Sequence, residues 1–204
     1  MKRVIAYIDG FNLYFGLRDK GWRKYYWLDL CALSSSMLKG AQTLEAVHYF
    51  TARIHASEDS SGAQRQKEYL EALQTLAKLH IQFGHYLEKP RRCTCGRQWT
   101  SYEEKMTDVN IASQMIVDAF DNRFDTALLI SADSDLTTPV NIIRTRFPEK
   151  NVIIALPPKR RSHKLVQAAS GSFVINETAF RRSQLPELIT KPDGYTLHRP
   201  EHWK

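Results

Sequence analysis

The stretch Thr126–Asp135, TALLISADSD, constrains this chain more than any other. Its consecutive apolar residues, Ala127-Leu128-Leu129-Ile130, have the pattern of a strand buried on both faces, the form that parallel sheets take. The polar turn that follows presents Asp133 and Asp135 two residues apart. Carboxylates that close repel unless a cation, a proton or basic side chains lie between them, so the turn points to a metal. The ends of strands in open α/β sheets are also where ligands gather.

The other segments supply a sheet for that strand. Arg3–Ile8 is a β-branched and aromatic run that delivers Asp9 to a strand end, and Glu45–Ile54, Ile81–Leu87, Asn151–Leu156 and Ser172–Ile175 read as further strands. Helices are predicted from Phe11 to Gly16 or Gly21, over Leu28–Leu38, Ala63–Leu79, Thr107–Phe120 and Leu136–Arg146, and over Lys164–Ala169. Pro139 falls in a first turn, where a missing N–H is harmless. The polar stretch His55–Gly62 reads as a loop over the strand ends. Strand and helix alternate, which specifies a parallel sheet between helices with right-handed crossovers.

With 204 residues, 43% of them hydrophobic, the chain can build one well-buried α/β domain and is short for two. That domain is expected over residues 1–176, with a basic, cysteine-containing insertion at about 88–103. Residues 177–204 form an extension, helical near Phe180–Leu188 and loosely held at its end. No apolar run approaches the roughly 20 residues that span a bilayer, so no membrane partner is expected. MKRVIAYIDG reads as a strand rather than a secretory signal. Cys31, Cys93 and Cys95 do not form a secreted disulfide pattern, and a cytoplasmic location is expected. Zinc at Cys93 and Cys95 is disfavoured, because no second cysteine pair completes four ligands.

Each acidic residue has an ordinary explanation when taken alone. Asp9 and Asn12 suit turns and caps, Asp108 suits a helix's first turn, and Asp135 suits a cap of the next helix. Together they stop being independent. Asp9, Asp133 and Asp135 lie at the C-terminal ends of predicted parallel strands, and Asp108 opens a helix that must run back across the sheet. Such a set suits Mg²⁺ or Mn²⁺ and hydrolysis of a phosphodiester, with Asp133 the more central ligand and Asp135 either acting through water or partly structural. The net charge of +7 favours polyanionic partners. Arg91, Arg92, Lys105, Lys159, Arg160 and Arg161, expected near the same edge, would hold a nucleic-acid backbone. The segment Trp22–Trp27, WRKYYW, suits either base stacking or packing against the sheet.

Three motifs in order, IDGFN (Ile8–Asn12), EKMTDV (Glu104–Val109) and SADSD (Ser131–Asp135), resemble the NYN domain of the PIN-like nuclease superfamily. The resemblance covers about Arg3–Ile175. It implies an α/β, three-layer PIN-like (Rossmann-like) fold, with a central, mostly parallel sheet flanked by helices. It also implies a metal-dependent ribonuclease, with the catalytic and metal-ligating acids at Asp9, Asp108, Asp133 and Asp135. Asn12 matches the family's asparagine beside the first acid, and Ser131 the small hydroxyl residue before the acidic turn. Ala132 stands where glycine is frequent, a mild departure.

RNA is therefore the expected partner, and assembly as a homodimer stays open. The alternative is a non-catalytic RNA-binding or regulatory module that keeps the acidic site. A haloacid-dehalogenase-type phosphatase would need an aspartate where Phe11 stands, and the β1 exit DGFN lacks the glycine fingerprint of dinucleotide binding. A nucleophilic cysteine fits poorly as well, since Cys31 lies on a predicted helix and the other two lie in the insertion.

Overall fold

The side-chain alternation along VIAYI in the first strand sets the architecture. Val4, Ala6 and Ile8 enter one core while Ile5 and Tyr7 enter another, so this strand is buried on both faces. The structure, a computed structural model, describes residues 1–54 and 59–203. In chain order its strands are β1 (Lys2–Asp9), β2 (Gln42–Thr51), β3 (Leu79–Phe83), β4 (His85–Arg92), β5 (Gln98–Lys105), β6 (Thr126–Ile130), β7 (Asn151–Leu156), β8 (Gly171–Val174), β9 (Leu188–Thr190) and β10 (Thr196–His198). The helices are α1 (Gly10–Asp19), α2 (Leu30–Ser36), α3 (Ser60–Leu73), α4 (Thr107–Phe120), α5 (Thr137–Arg146), α6 (His163–Ala168) and α7 (Glu177–Arg182).

Six strands form one parallel sheet in the order β3-β2-β1-β6-β7-β8. The chain winds outward from β1 to β3 on one side and from β6 to β8 on the other. The point where the winding reverses lies between β1 and β6, and the crevice beyond their carboxyl ends is where such sheets bind ligands. One core layer sets Val4, Leu128 and Ile130 against Leu13, Leu33 and Leu73. The other sets Ile5, Leu129 and Ile154 against Ile111, Met115 and Val140. Aspartates cap each of the first three helices: in α2 Asp29 accepts from the Ala32 N–H, and in α3 Asp59 accepts from the Gly62 N–H.

The chain departs from expectation in several places, among them α3, expected over Ala63–Leu79 and observed at Ser60–Leu73. The single strand expected over Ile81–Leu87 is split: β3 ends at Phe83, Gly84 donates its N–H to the Thr51 carbonyl, and the chain then leaves the sheet. From His85 to Lys105 it makes an antiparallel hairpin, β4–β5, so the insertion is longer than residues 88–103. The loop expected over His55–Gly62 gives way at Asp59 to the cap of α3, and its first residues lie outside the described ones.

The end of the chain, expected to be loosely held, forms the β9–β10 hairpin, and Leu197 and Trp203 are buried in the first core. Trp203 is anchored by ring contacts with Tyr26, Trp27 and Tyr69, an apolar attachment that outweighs the polar character of its neighbours. The helix expected near Phe180–Leu188 sits earlier, at α7, where Asn176 caps it.

Beneath the second layer lies a buried polar group. Asp118 accepts hydrogen bonds from the Tyr7 hydroxyl at 2.8 Å, from Gln114 at 3.0 Å and from Arg123 at 3.3 Å. The His48 ring stacks between Tyr7 and His80 and comes within 3.6 Å of Asp118, too far for a hydrogen bond. Among the described residues neither of its buried ring nitrogens has a hydrogen-bond partner. Burial pushes the His48 pKa down to about 4 despite the nearby carboxylate, so the ring is neutral at pH 7. No helix among the described residues is long and apolar enough to cross a membrane.

Candidate active site

The ends of β1 and β6 meet at one hydroxyl. Ser131, the first residue past β6, donates from Oγ to Asp9 Oδ2 at 2.8 Å and accepts from the Asp133 N–H at 3.0 Å. Asp9, the last residue of β1, caps α1: its Oδ1 accepts from the Asn12 N–H at 3.0 Å and its Oδ2 from Asn12 Nδ2 at 2.8 Å. Asn12 Oδ1 accepts in turn from the Ala132 N–H at 3.3 Å, so one asparagine ties both strand exits together.

Asp9 is only 2% exposed. Three donors sustain its charge, yet burial pushes its pKa above the usual carboxylate range, and the Asp133 carboxylate pushes the same way. A cation placed against Asp9 and Asp133 would relieve both effects.

Asp133 is half-buried, and its Oδ1 accepts from the Asp135 N–H at 2.9 Å, closing the 3₁₀ turn Ser134–Leu136. The cap expected of Asp135 is therefore made by Asp133, and Asp135 itself is exposed. Asp108, half-buried, lies in the first turn of α4, which packs against that 3₁₀ turn on the same sheet edge. Met106 directs this turn from the left-handed region, at φ 78°, which costs a non-glycine residue about 1 kcal/mol. Among the described residues no three His, Cys, Asp or Glu side chains are grouped to share a metal ion. The structure thus joins Asp9, Asn12, Ser131 and Asp133 directly, ties Asp135 to Asp133 through its backbone N–H, and places Asp108 on the same edge, in the first turn of α4.

The donor set is all oxygen, which fits a hard cation. Mg²⁺ is commonly held by one or two carboxylates together with waters and substrate phosphates, so Asp9 and Asp133 meet its minimum.

The basic residues divide. Lys159, at φ 59°, and Arg161 are exposed on the loop after β7, at the same edge. Arg160 is committed elsewhere, pairing with Asp19 at 2.7 Å and lying over the Phe15 ring. Lys105 ends the hairpin beside the first turn of α4. Arg91 and Arg92 sit at the far end of β4, roughly 20 Å along the ladder from the hairpin's base. Cys93 and Cys95 are exposed near the hairpin turn.

WRKYYW divides too. Trp27 and Tyr25 are buried in the core, as packing would have it, whereas Arg23 and Tyr26 line a cavity of about 300 Å³. That cavity, walled also by Tyr14, Tyr69 and Trp203, was not legible in the sequence because five separate segments assemble it. A more open depression of about 780 Å³ between α3 and the β9–β10 hairpin lies away from Asp9, beside the Lys191–Glu71 ion pair.

A doubly wound parallel sheet with a carboxylate network at its switch point defines the class. The chain belongs to the NYN domain family, which its residues 3–177 match. That family lies within the PIN-like nuclease superfamily, whose nucleases generally use divalent metals. A curated relative is the 6-hydroxy-3-succinoylpyridine 3-monooxygenase HspA of Pseudomonas putida (strain DSM 28022 / S16), 28% identical over a 240-residue alignment spanning 98% of this chain and 75% of the relative. A crystal structure of a protein of unknown function from Vibrio parahaemolyticus RIMD 2210633 superposes with a TM-score of 0.59. It covers 90% of this chain and 96% of its own at 17% identity, and it shares the fold.

Proposed function

We propose that this protein is a metal-dependent ribonuclease that hydrolyses RNA phosphodiester bonds endonucleolytically. The observation that carries this is the Asp9–Asn12–Ser131–Asp133 network at the switch point of an NYN domain. Asp9 and Asp133 would hold Mg²⁺ or Mn²⁺, with Asp108 and Asp135 acting through water. Asn12 and Ser131 fix the direction of the Asp9 oxygens. A divalent cation bound there lowers the pKa of a coordinated water and stabilises charge on the phosphate. Lys105, Lys159 and Arg161 would hold the strand by its phosphates, with Arg91 and Arg92 reaching nucleotides farther along.

The test is cleavage of an RNA pool with Mg²⁺ or Mn²⁺, with fragment ends mapped. Asp133→Asn is expected to lower the rate at least about a hundredfold while RNA binding stays within about threefold. EDTA should stop the wild type. Mn²⁺ should raise its melting temperature, and that rise should vanish in Asp133→Asn. Undiminished cleavage by Asp133→Asn would overturn the proposal, and salt-sensitive RNA binding with no cleavage under either metal would favour the non-catalytic RNA-binding module.

A second reading comes from the Pseudomonas relative and is favoured by the aromatic cavity one residue from Asp9. It is the hydroxylation of a small pyridine-type acid by O₂, a two-electron donor carrying the second oxygen atom to water. Substrate-dependent O₂ consumption by the purified chain would select it.

A further inference from the structure

We infer that the aromatic cavity between α1, α3 and the C-terminal 3₁₀ turn Glu201–Trp203 is a nucleotide pocket, stacking one base on its rings and holding the attached phosphate with its arginines. The inference rests on the ribonuclease reading and assigns the unit of substrate that sits beside the carboxylates.

Position is the first argument. Gly10 and Tyr49 belong to the cavity wall, and Gly10 follows Asp9 directly. A base inserted there leaves its sugar and phosphate at the strand-end edge.

Shape is the second argument. Tyr14 and Tyr26 pack against each other with ring centroids 5.1 Å apart, and Trp203 meets Tyr26 and Tyr69 edge-on at 5.7 and 5.9 Å, so the rings form one continuous aromatic wall for a base to lie against. About 300 Å³ is the lower end of the range for small-ligand sites, in keeping with a single planar unit. Burial and the neighbouring Tyr14 push the Tyr26 pKa up to about 12, so its ring stays a neutral stacking surface.

Charge is the third argument. Among the described residues Arg18, Arg23 and Arg65 border the cavity, with Asp59 the one carboxylate in its wall. Asp59 spends itself on the cap of α3 and stands 3.9 Å from Arg65, a loose pair. Arg23 contacts the His202 ring at 2.7 Å. Aromatic faces rimmed by excess cation match a base that carries a phosphate, and they match an uncharged aromatic poorly.

The experiment is a titration of the full chain with the four ribonucleoside 5′-monophosphates in EDTA, followed by calorimetry. Ribose 5-phosphate and nicotinate serve as comparison ligands. Tyr14, 44% exposed, and Arg65, half-buried, can be replaced without opening the core. Saturable nucleotide binding is expected, about tenfold weaker in Tyr14→Ala and in Arg65→Gln, with ribose 5-phosphate weaker still. Displacement of the nucleotide by a short single-stranded RNA assigns the pocket to a base of the strand. Retention of the nucleotide in the presence of that RNA would overturn the assignment to the substrate strand. Absent nucleotide binding, equal binding in both variants, ribose 5-phosphate binding as tightly, or nicotinate binding in place of nucleotides would each overturn it. Neither metal nor cleavage enters this titration, so a wild type that fails to cut RNA counts against the ribonuclease proposal alone.

Discussion

Ser131 couples two carboxylates through one oxygen, donating to Asp9 and accepting from the backbone of Asp133. Ser131→Ala removes one of three donors from a buried charge and strands a half-buried N–H. It is expected to cost about 1–3 kcal/mol in urea denaturation and to slow RNA cleavage. His48 makes the second prediction at this scale. Its pKa is about 4 in the folded chain, below the 6.5 of a free histidine, so between those values the unfolded chain binds the extra proton. Stability is whole above pH 6.5 and drains away as pH falls toward 4. A loss of about 1–2 kcal/mol from pH 7 to pH 5 is expected. In His48→Phe, which keeps the stacking, that part of the loss should disappear when melting temperatures are compared. The strand-end acids and Asn12 were legible in the sequence because each adjoins a short apolar run. The Arg160–Asp19 pair was not, since it joins residues 141 apart in the chain.

At the scale of elements, α1 rests against β2 with no space to spare. A Cβ added at Gly10 would meet the Phe50 carbonyl oxygen at 2.6 Å and the Tyr49 ring at 2.9 Å. Gly10→Ala must therefore push the first turn of α1 off the sheet, carrying Asn12 away from Asp9. A loss of about 1–3 kcal/mol by thermal denaturation is expected, together with impaired cleavage. The helix α4 and the strand β7 coincide with their expected spans and β6 begins one residue earlier than expected, because α4 has a clean helical period and both strands are apolar runs with polar ends. The misread elements are those whose local pattern misleads. IQFGHYL is apolar enough to pass for one strand, and only the sheet edge shows that Gly84 turns the chain out into a hairpin. The carboxylate edge was legible from strand ends, whereas the spread of the basic residues was not, because Arg91 and Arg92 lie at the far end of a hairpin the sequence did not reveal.

For the molecule as a whole, the last described residues complete the first core. Trp203 is 8% exposed against Tyr26, Trp27 and Tyr69, and Trp203→Ala is expected to cost about 3 kcal/mol in urea denaturation and to open the aromatic cavity. The order of the sheet also governs how the protein comes to be folded. β1 is the first strand in the chain and a middle strand in the sheet, and its partner on one side, β6, pairs Val4 with Thr126. The Ser131–Asp9 hydrogen bond likewise closes a loop of 122 residues. Closures of that length are slow and follow local structure. A nascent or partly folded chain can hold α1, β2 and their neighbours while β1 still lacks a partner on its β6 side. The acidic centre is therefore absent until that long closure is made, which makes its assembly a marker of completed folding.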